Sequence, residues 1–386
     1  MTDPHTGRIT WPIEDHTVAK HRLLESYLGA WLPILASWSE ALNYIDGFAG
    51  PGEYDAGEEG SPIIALRTAT EHKLTIQAKI SFLFIESDSR RAEHLQSLLR
   101  ERFPKLPAGW GVNVEAASFD RSVSSILDEF EKQGASLAPT LAFVDPFGFS
   151  EFPMGTLRRI LANPSCEVFV TFMSGFVSRF LEPDRGPALD ALFGCSDWNK
   201  ARNLESQERI DFLVRLYERQ LGTGLTKAYV RSFEIQGRSN RPLYHLVFAT
   251  TNIRGLEQMK EAMFRLDRTG AYRFSDYFGL SQKTLLDYSD GSAAPWSRDA
   301  ALSVWKAFGG KMVGEQTIHD WVVEATRYVY RKRQILLPLE EASAVAEVWG
   351  RRKIGTFPKG CRVRFKPWPG FSEAAAALET GARPDP

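Results

Sequence analysis

The spacing of hydrophobic residues changes along the chain and divides it into elements. From His16, the stretch HTVAKHRLLESYLGAWLPILASW places Leu23, Leu24, Tyr27, Leu28, Trp31, Leu35 and Trp38 at three- and four-residue steps, which predicts an amphipathic helix interrupted or kinked near Pro33. Short apolar runs then alternate with helical segments. The runs are Leu42–Asp46, Ile80–Glu86, Val112–Ala116, Thr140–Asp145 and Glu167–Phe172. Between them lie SPIIALRTATEH, with Ser61 as cap and Pro62 opening the helix, then SRRAEHLQSLLRERF, Arg121–Gln133 and Pro153–Leu161. Unbroken apolar runs mark strands buried on both faces, and their alternation with helices predicts a parallel sheet with right-handed crossovers. Residues 173–205, with Phe176, Phe193, Gly194 and Trp198, read as an irregular insertion before a helix at Arg209–Leu221. VRSFEI and LYHLVFAT flank QGRSNRP and read as a hairpin.

Five strands in βα alternation closed by an antiparallel hairpin make an α/β fold with the strand inventory of a Rossmann-like class I methyltransferase sheet of about seven strands. Most Rossmann dehydrogenases end in a parallel sixth strand instead, so the expected cofactor moves from NAD towards S-adenosylmethionine (AdoMet). The expected layout has a leader and packing helix at 1–40, loose up to residue 15, and a core at 41–289. A linker at 290–300 and a flexible tail at 371–386 flank the third part. There, at 300–368, QTIHDWVVEAT and RYVYRKRQILLPLEEA read as helices, with AVAEVW and CRVRFK as a two-stranded wing, the outline of a winged-helix-like domain. Between Arg327 and Lys366 stand eleven Lys/Arg against three Glu.

That local excess is hidden in the composition. The 386 residues carry a formal net charge of −1, with 43% hydrophobic and 25% charged positions, as expected of a globular protein of more than one domain. No apolar run reaches the roughly 18 residues of a membrane span, and the N-terminus has no signal pattern. Cys166, Cys195 and Cys361 form no CxxC pair, and the seven histidines do not cluster with them, so a cytoplasmic protein without a metal is expected.

In a doubly wound sheet the ligand lies over the carboxyl ends of the strands, so the residues there are the candidates. The first run ends in YIDGFAGPG, giving Asp46, Gly47, Phe48, Ala49, Gly50 and Gly52 as a cofactor loop whose glycines let the backbone approach closely. The second ends in Glu86, of the kind that accepts from both ribose hydroxyls. The third supplies Phe119 to stack on an adenine and Asp120 to accept from its amino group. Each acid also has an ordinary reading as a strand end or helix cap. The interval from Gly52 to Glu86 is 34 residues against the usual ~20, which makes EYDAGEEG an insertion beside the loop. The fourth run ends in Asp145-Pro146-Phe147-Gly148. An acid, a proline and an aromatic there can orient an exocyclic amine and pack on its base, although Phe147 also fits ordinary core packing. Lys20 and His21 could reach a ligand; a solvated helix face is the expectation.

DPFG resembles the motif of tRNA guanosine N2-dimethyltransferases. Taken together, HTVAKHRLLESYLGAW, YIDGFAGPGEY, GSPIIAL, FIESD, FVDPFG, the LFG before Trp198, RPLYHLVFATTN, GLEQMKEAMF and TFPKG resemble the three-Cys-motif partner proteins (TcmP) over about residues 16–366. The resemblance implies a methyltransferase-like form and a companion, a three-Cys-motif, radical-AdoMet-like protein; this chain has no such motif itself. The expected function is AdoMet-dependent methylation of nucleic acid, RNA or DNA, at an exocyclic amine of a base, with Arg331, Lys332, Arg333, Arg351, Arg352 and Lys353 on the phosphates. The alternatives are a non-catalytic methyltransferase-like scaffold that binds AdoMet or nucleic acid, and, for the basic segment, a solvated or protein-docking face.

Overall fold

The computed structural model describes residues 7–149, 151–237, 241–267, 273–275 and 295–370. The chain divides into two units, Met1–Ala262 with Arg273–Leu280, and Met263–Tyr272 with Ser281–Pro386.

The first unit follows the predicted alternation: α1 (Asp15–Ala36), β1 (Ala41–Asp46), α2 (Ser61–Thr70), β2 (Lys79–Glu86), α3 (Ser89–Arg102), β3 (Gly111–Ala116), α4 (Phe119–Lys132), β4 (Thr140–Val144), α5 (Met154–Leu161) and β5 (Glu167–Phe172). There follow α6 (Ser174–Val177), α7 (Gly186–Phe193), α8 (Ser206–Gly222), β6 (Tyr229–Gln236), β7 (Pro242–Thr250), α9 (Ile253–Leu266) and β8 (Arg273–Ser275). The strands form one sheet in the order β3-β2-β1-β4-β5-β7-β6-β8. β1 pairs in parallel with β2 on one side and β4 on the other, while β7 runs antiparallel between β5 and β6. Every residue of β4 and β5 is buried, which is why both read as unbroken apolar runs. The order reverses at β1/β4, and that switch point opens a crevice beyond Asp46 and the end of β4.

Several details differ from the sequence reading. The sheet gains an eighth strand, β8. α1 runs through Pro33 without ending and stops at Ala36, leaving Trp38 outside the helix and exposed. Residues 173–205 are mostly helical rather than irregular. Buried Trp198 donates its indole N–H to Asp190 Oδ1 at 2.7 Å, and Phe193 packs edge-on to Phe172. α4 begins at Phe119, two residues early, so Phe119 and Asp120 belong to its first turn. The leader is not loose from residue 7 onward: Trp11 is buried and its carbonyl accepts from Asp55 N at 3.1 Å.

The second unit contains α10 (Pro295–Phe308), β9 (Met312–Gly314), α11 (Glu315–Ala325), α12 (Lys332–Glu341), β10 (Val345–Trp349) and β11 (Arg362–Phe365). α10 occupies part of the expected linker, α12 starts after the RYVY segment, and β9 adds a third strand in the order β10-β11-β9. Ile318, Val322, Ile335, Leu336, Val348 and Val363 bury a core of its own. The rest of the expected linker before Pro295 and the expected tail at 371–386 lie outside the described residues.

Candidate functional site

The glycine loop leaves β1 through a chain of backbone bonds. Gly47 N donates to Phe143 O of β4 at 2.8 Å, Ala49 N to Ile85 O of β2 at 2.9 Å, and Gly50 N to Glu86 Oε2 at 3.0 Å. Glu86 Oε1 accepts from Asp88 N at 2.8 Å, so this buried carboxylate clamps the loop onto the start of the next helix. Gly52 sits at φ +87°, a left-handed conformation that disfavours side chains, and a Cβ there would meet Leu95 Cδ1 at 2.6 Å. The EYDAGEEG insertion closes on itself through a Glu53–Glu59 bridge. It is pinned by His94 on Glu53 at 3.1 Å and Arg67 on Glu59 at 2.7 Å.

Asp46 is fully buried at the root of this loop. Its Oδ1 accepts from Phe48 N at 3.3 Å; its Oδ2 is buried with no hydrogen-bond partner. Burial raises its pKa to about 7; the nearby Ser61 hydroxyl, which lies outside hydrogen-bond geometry to Oδ2, opposes the rise and the Asp145 charge adds to it. A buried carboxylate oxygen without a donor costs free energy, so it marks a place where a ligand donor would be received.

Asp145 stands just past β4 and is ion-paired with Lys20 of α1. Lys20 is buried, contrary to the solvated face expected for it, and lies 5.9 Å from the ring centre of Tyr244. His21 beside it is buried too. Burial, then the Lys20 charge, lowers its pKa to about 3, so the ring stays neutral. Trp11, Tyr54 and Phe147 complete the wall, with Trp11 edge-on to Phe147 at 5.6 Å and to Tyr54 at 5.9 Å. Arg91 lies over Trp11 at 4.8 Å and donates to Arg8 O at 3.1 Å, which straps the leader across the loop. Phe147 remains 40% exposed, while Pro146 beneath it is buried.

The structure therefore brings Asp46, the loop, Glu86 and Asp145-Pro146-Phe147 together with Lys20 and His21, for which the sequence favours a solvated face, and adds Trp11 and Tyr54, which it does not single out. Phe119 and Asp120 are engaged elsewhere. The Phe119 ring is buried against Gly47, where a Cβ would come within 2.4 Å, and is stacked on Phe48. Asp120 accepts from Thr156 of α5 and from Ser124, tying two helices together. A signal for Lys20 was present in the sequence: positions 20, 24, 27 and 31 share one helix face.

At the opposite, amino edge of the sheet a cavity of about 170 Å³ lies among Tyr27, Trp31, Trp38, Glu167 and Arg254. Its buried acid, Glu167, is already satisfied by Tyr27 OH at 2.6 Å and Thr250 Oγ1 at 2.7 Å. Among the described residues no group of three His, Cys, Asp or Glu could hold a metal ion, and no helix is long and apolar enough to cross a membrane.

In the second unit the expected basic residues divide into two places. Arg331, Lys332 and Arg333 open α12, and Arg351, Arg352 and Lys353 lie in the β10–β11 loop. Lys332 is within 3.5 Å of Glu315, and Arg351, half-buried, is paired with Glu340; Arg333, Arg352 and Lys353 are exposed.

An open α/β sheet with β7 inverted between β5 and β6, and with acids at the carboxyl ends around its switch point, defines a methyltransferase-like fold. Among solved structures the chain is similar to Trm1 from Pyrococcus horikoshii, in complex with S-adenosyl-L-methionine, at 14% identity and a TM-score of 0.35, over 66% of this chain and 62% of that one. It is also similar to human methyltransferase-like protein 13, in complex with SAH, at 12% identity and a TM-score of 0.33, over 65% of this chain and 92% of that one. The chain thus spans less than two thirds of the Trm1 chain. No family model and no curated protein matches it.

Proposed function

We propose that this protein is an AdoMet-dependent methyltransferase acting on an exocyclic amine of a nucleic-acid base. The observation that carries the reading is the pairing, in one crevice, of an unpartnered buried carboxylate oxygen on Asp46 with the Asp145-Pro146-Phe147 strand end. AdoMet fits the donor set. Its α-ammonium would satisfy Asp46 Oδ2, and Glu86, which ends β2 beside the loop, would hold the ribose. With Phe119 and Asp120 committed to packing, the adenine end is left to Phe48.

Bound there, AdoMet supplies an electrophilic methyl group for in-line transfer to nitrogen. Lys20 holds Asp145 Oδ2 and offsets its charge, leaving Oδ1 to accept an N–H of the target amine and aim its lone pair. Phe147, exposed and backed by Trp11, offers the base a stacking face. Neutral His21 adds no second positive charge beside the incoming sulfonium. The second unit, with its helix, strand, helix, helix, strand, strand order, supports a winged-helix reading in which Arg333, Arg352 and Lys353 contact phosphates. The resemblance to three-Cys-motif partner proteins adds a companion protein to the proposal.

A second reading, a non-catalytic scaffold that binds AdoMet, is favoured by one observation: Lys20 already occupies one oxygen of Asp145. Mass spectrometry of nucleosides from cells with and without the protein separates the two. A methylated nucleoside lost on deletion supports the enzyme. An unchanged nucleoside profile alongside tight AdoMet binding leaves the scaffold.

A further inference from the structure

The outward face of the small sheet in the second unit carries a pattern that the proposed function does not use. In β10 and β11, Val348 and Val363 pair and point into the core, so their neighbours point out. The register sets Trp349 opposite Arg362, with Gly314 of β9 on the other side of Arg362, and Glu347 opposite Arg364, with Met312 beyond. Trp349 is 49% exposed, an unusual state for the side chain with the largest apolar surface, and its ring makes no aromatic or cation contact among the described residues. Arg362, Arg364 and Lys366 follow at alternate positions, about 7 Å apart along one face. All three are exposed, as are Arg352, Lys353 and Lys359 in the connecting loop, where Ile354 is 79% exposed. From residue 345 to 370 there are seven Lys/Arg and one acid, Glu347, which lies 3.7 Å from Arg364.

We propose that this face binds single-stranded nucleic acid, with an unpaired base stacked on Trp349 and the backbone following Arg362, Arg364 and Lys366. The proposal rests on the nucleic-acid reading above and specifies the form of the substrate. The indole stands on the β10 edge of the sheet directly across from Arg362, whose other neighbour, Gly314, adds no side chain to the face. Only an unpaired base exposes the π-face that such a platform can engage, because in a duplex that face is covered by the next pair. A row of cations at alternate strand positions suits an extended chain of phosphates. The chemistry agrees with the first unit's crevice, since a base must leave its stack before its amine can reach Asp145.

The test is fluorescence anisotropy of the full-length protein with a labelled RNA of about 20 nucleotides, single-stranded and as its duplex, between about 50 mM and 200 mM salt. The single strand should bind more tightly than the duplex. Trp349→Ala should weaken single-strand binding about tenfold without changing duplex binding, and Trp349→Phe should restore most of it. Arg362→Gln with Arg364→Gln should reduce the slope of log affinity against log salt for the single strand by about 1.4. Unchanged single-strand binding by Trp349→Ala would overturn this inference and leave the nucleic-acid reading standing. Absence of binding to either RNA at the lower salt would overturn both. Binding to phosphatidylserine vesicles without binding to RNA would reassign the face to a membrane surface and overturn the inference as well.

Discussion

Asp46 and Glu167 are buried in the same sheet, one at the carboxyl end of β1 and the other at the amino end of β5, and burial raises the pKa of each to about 7. They differ in their partners. Both oxygens of Glu167 accept hydroxyl donors, from Tyr27 and Thr250, whereas Asp46 accepts one backbone N–H and leaves Oδ2 bare. The closed arrangement fastens α1 and the end of β7 to β5. The open one is unfavourable as it stands and would gain from an arriving donor, which is why Asp46 is proposed as the binding residue and Glu167 is not. The titration behaviour is shared and does not discriminate; the count of satisfied oxygens does.

The comparison can be broken most severely at Gly255, whose Cβ would lie 2.1 Å from Glu167 Oε1. Gly255→Ala should cost about 3 kcal/mol or more, measured by denaturant unfolding, because the carboxylate must leave its hydroxyl donors. A loss under about 1 kcal/mol would show that the cage is loose.

Next comes pH. Both acids have folded pKa values above their ordinary ones, so the folded state holds extra protons, and stability should fall as pH rises from about 4 to about 7. Glu167→Gln should flatten its share of that fall, on the order of 3 kcal/mol, in unfolding curves taken across the window. An unaltered pH profile in the variant would remove Glu167 from the account.

Tyr27→Phe is the sharper variant, since it gives Glu167 a bare oxygen and makes it resemble Asp46. A loss of about 1–2 kcal/mol is expected, larger above pH 7 than below, by thermal unfolding. Equal losses at both pH values would mean that the hydroxyl does not matter to the ionised form.

The same contrast explains what was legible in the sequence. Asp46, Glu86 and Asp145 stand at or just past strand ends as the sequence predicts, because βα alternation fixes which residues end the strands. For Lys20 the sequence favours a solvated face over a ligand contact because its partner is 125 positions away and its neighbours Ala19 and His21 give no charge pattern; only the shared face with Leu24, Tyr27 and Trp31 hints at burial. Phe119 and Asp120 fall in the first turn of α4 because the helix begins two residues before the polar run that suggests its start, a boundary that sequence patterns locate poorly. Trp11 lies in a stretch whose sequence predicts a loose leader, since nothing local holds it; Arg91, Tyr54 and Phe147 do.

The most direct test of the central claim is calorimetric titration of AdoMet into the full-length protein from about pH 6 to about pH 8, for wild type and Asp46→Asn. In wild type the affinity should rise as pH increases through about 7, as Asp46 ionises to receive the α-ammonium. Asp46→Asn should bind at least about tenfold more weakly, with little pH dependence, the loss expected for one charge-assisted hydrogen bond. Equal affinity and an equal pH profile in the two proteins, or no binding by wild type at any pH, would contradict the assignment of this crevice as a cofactor site.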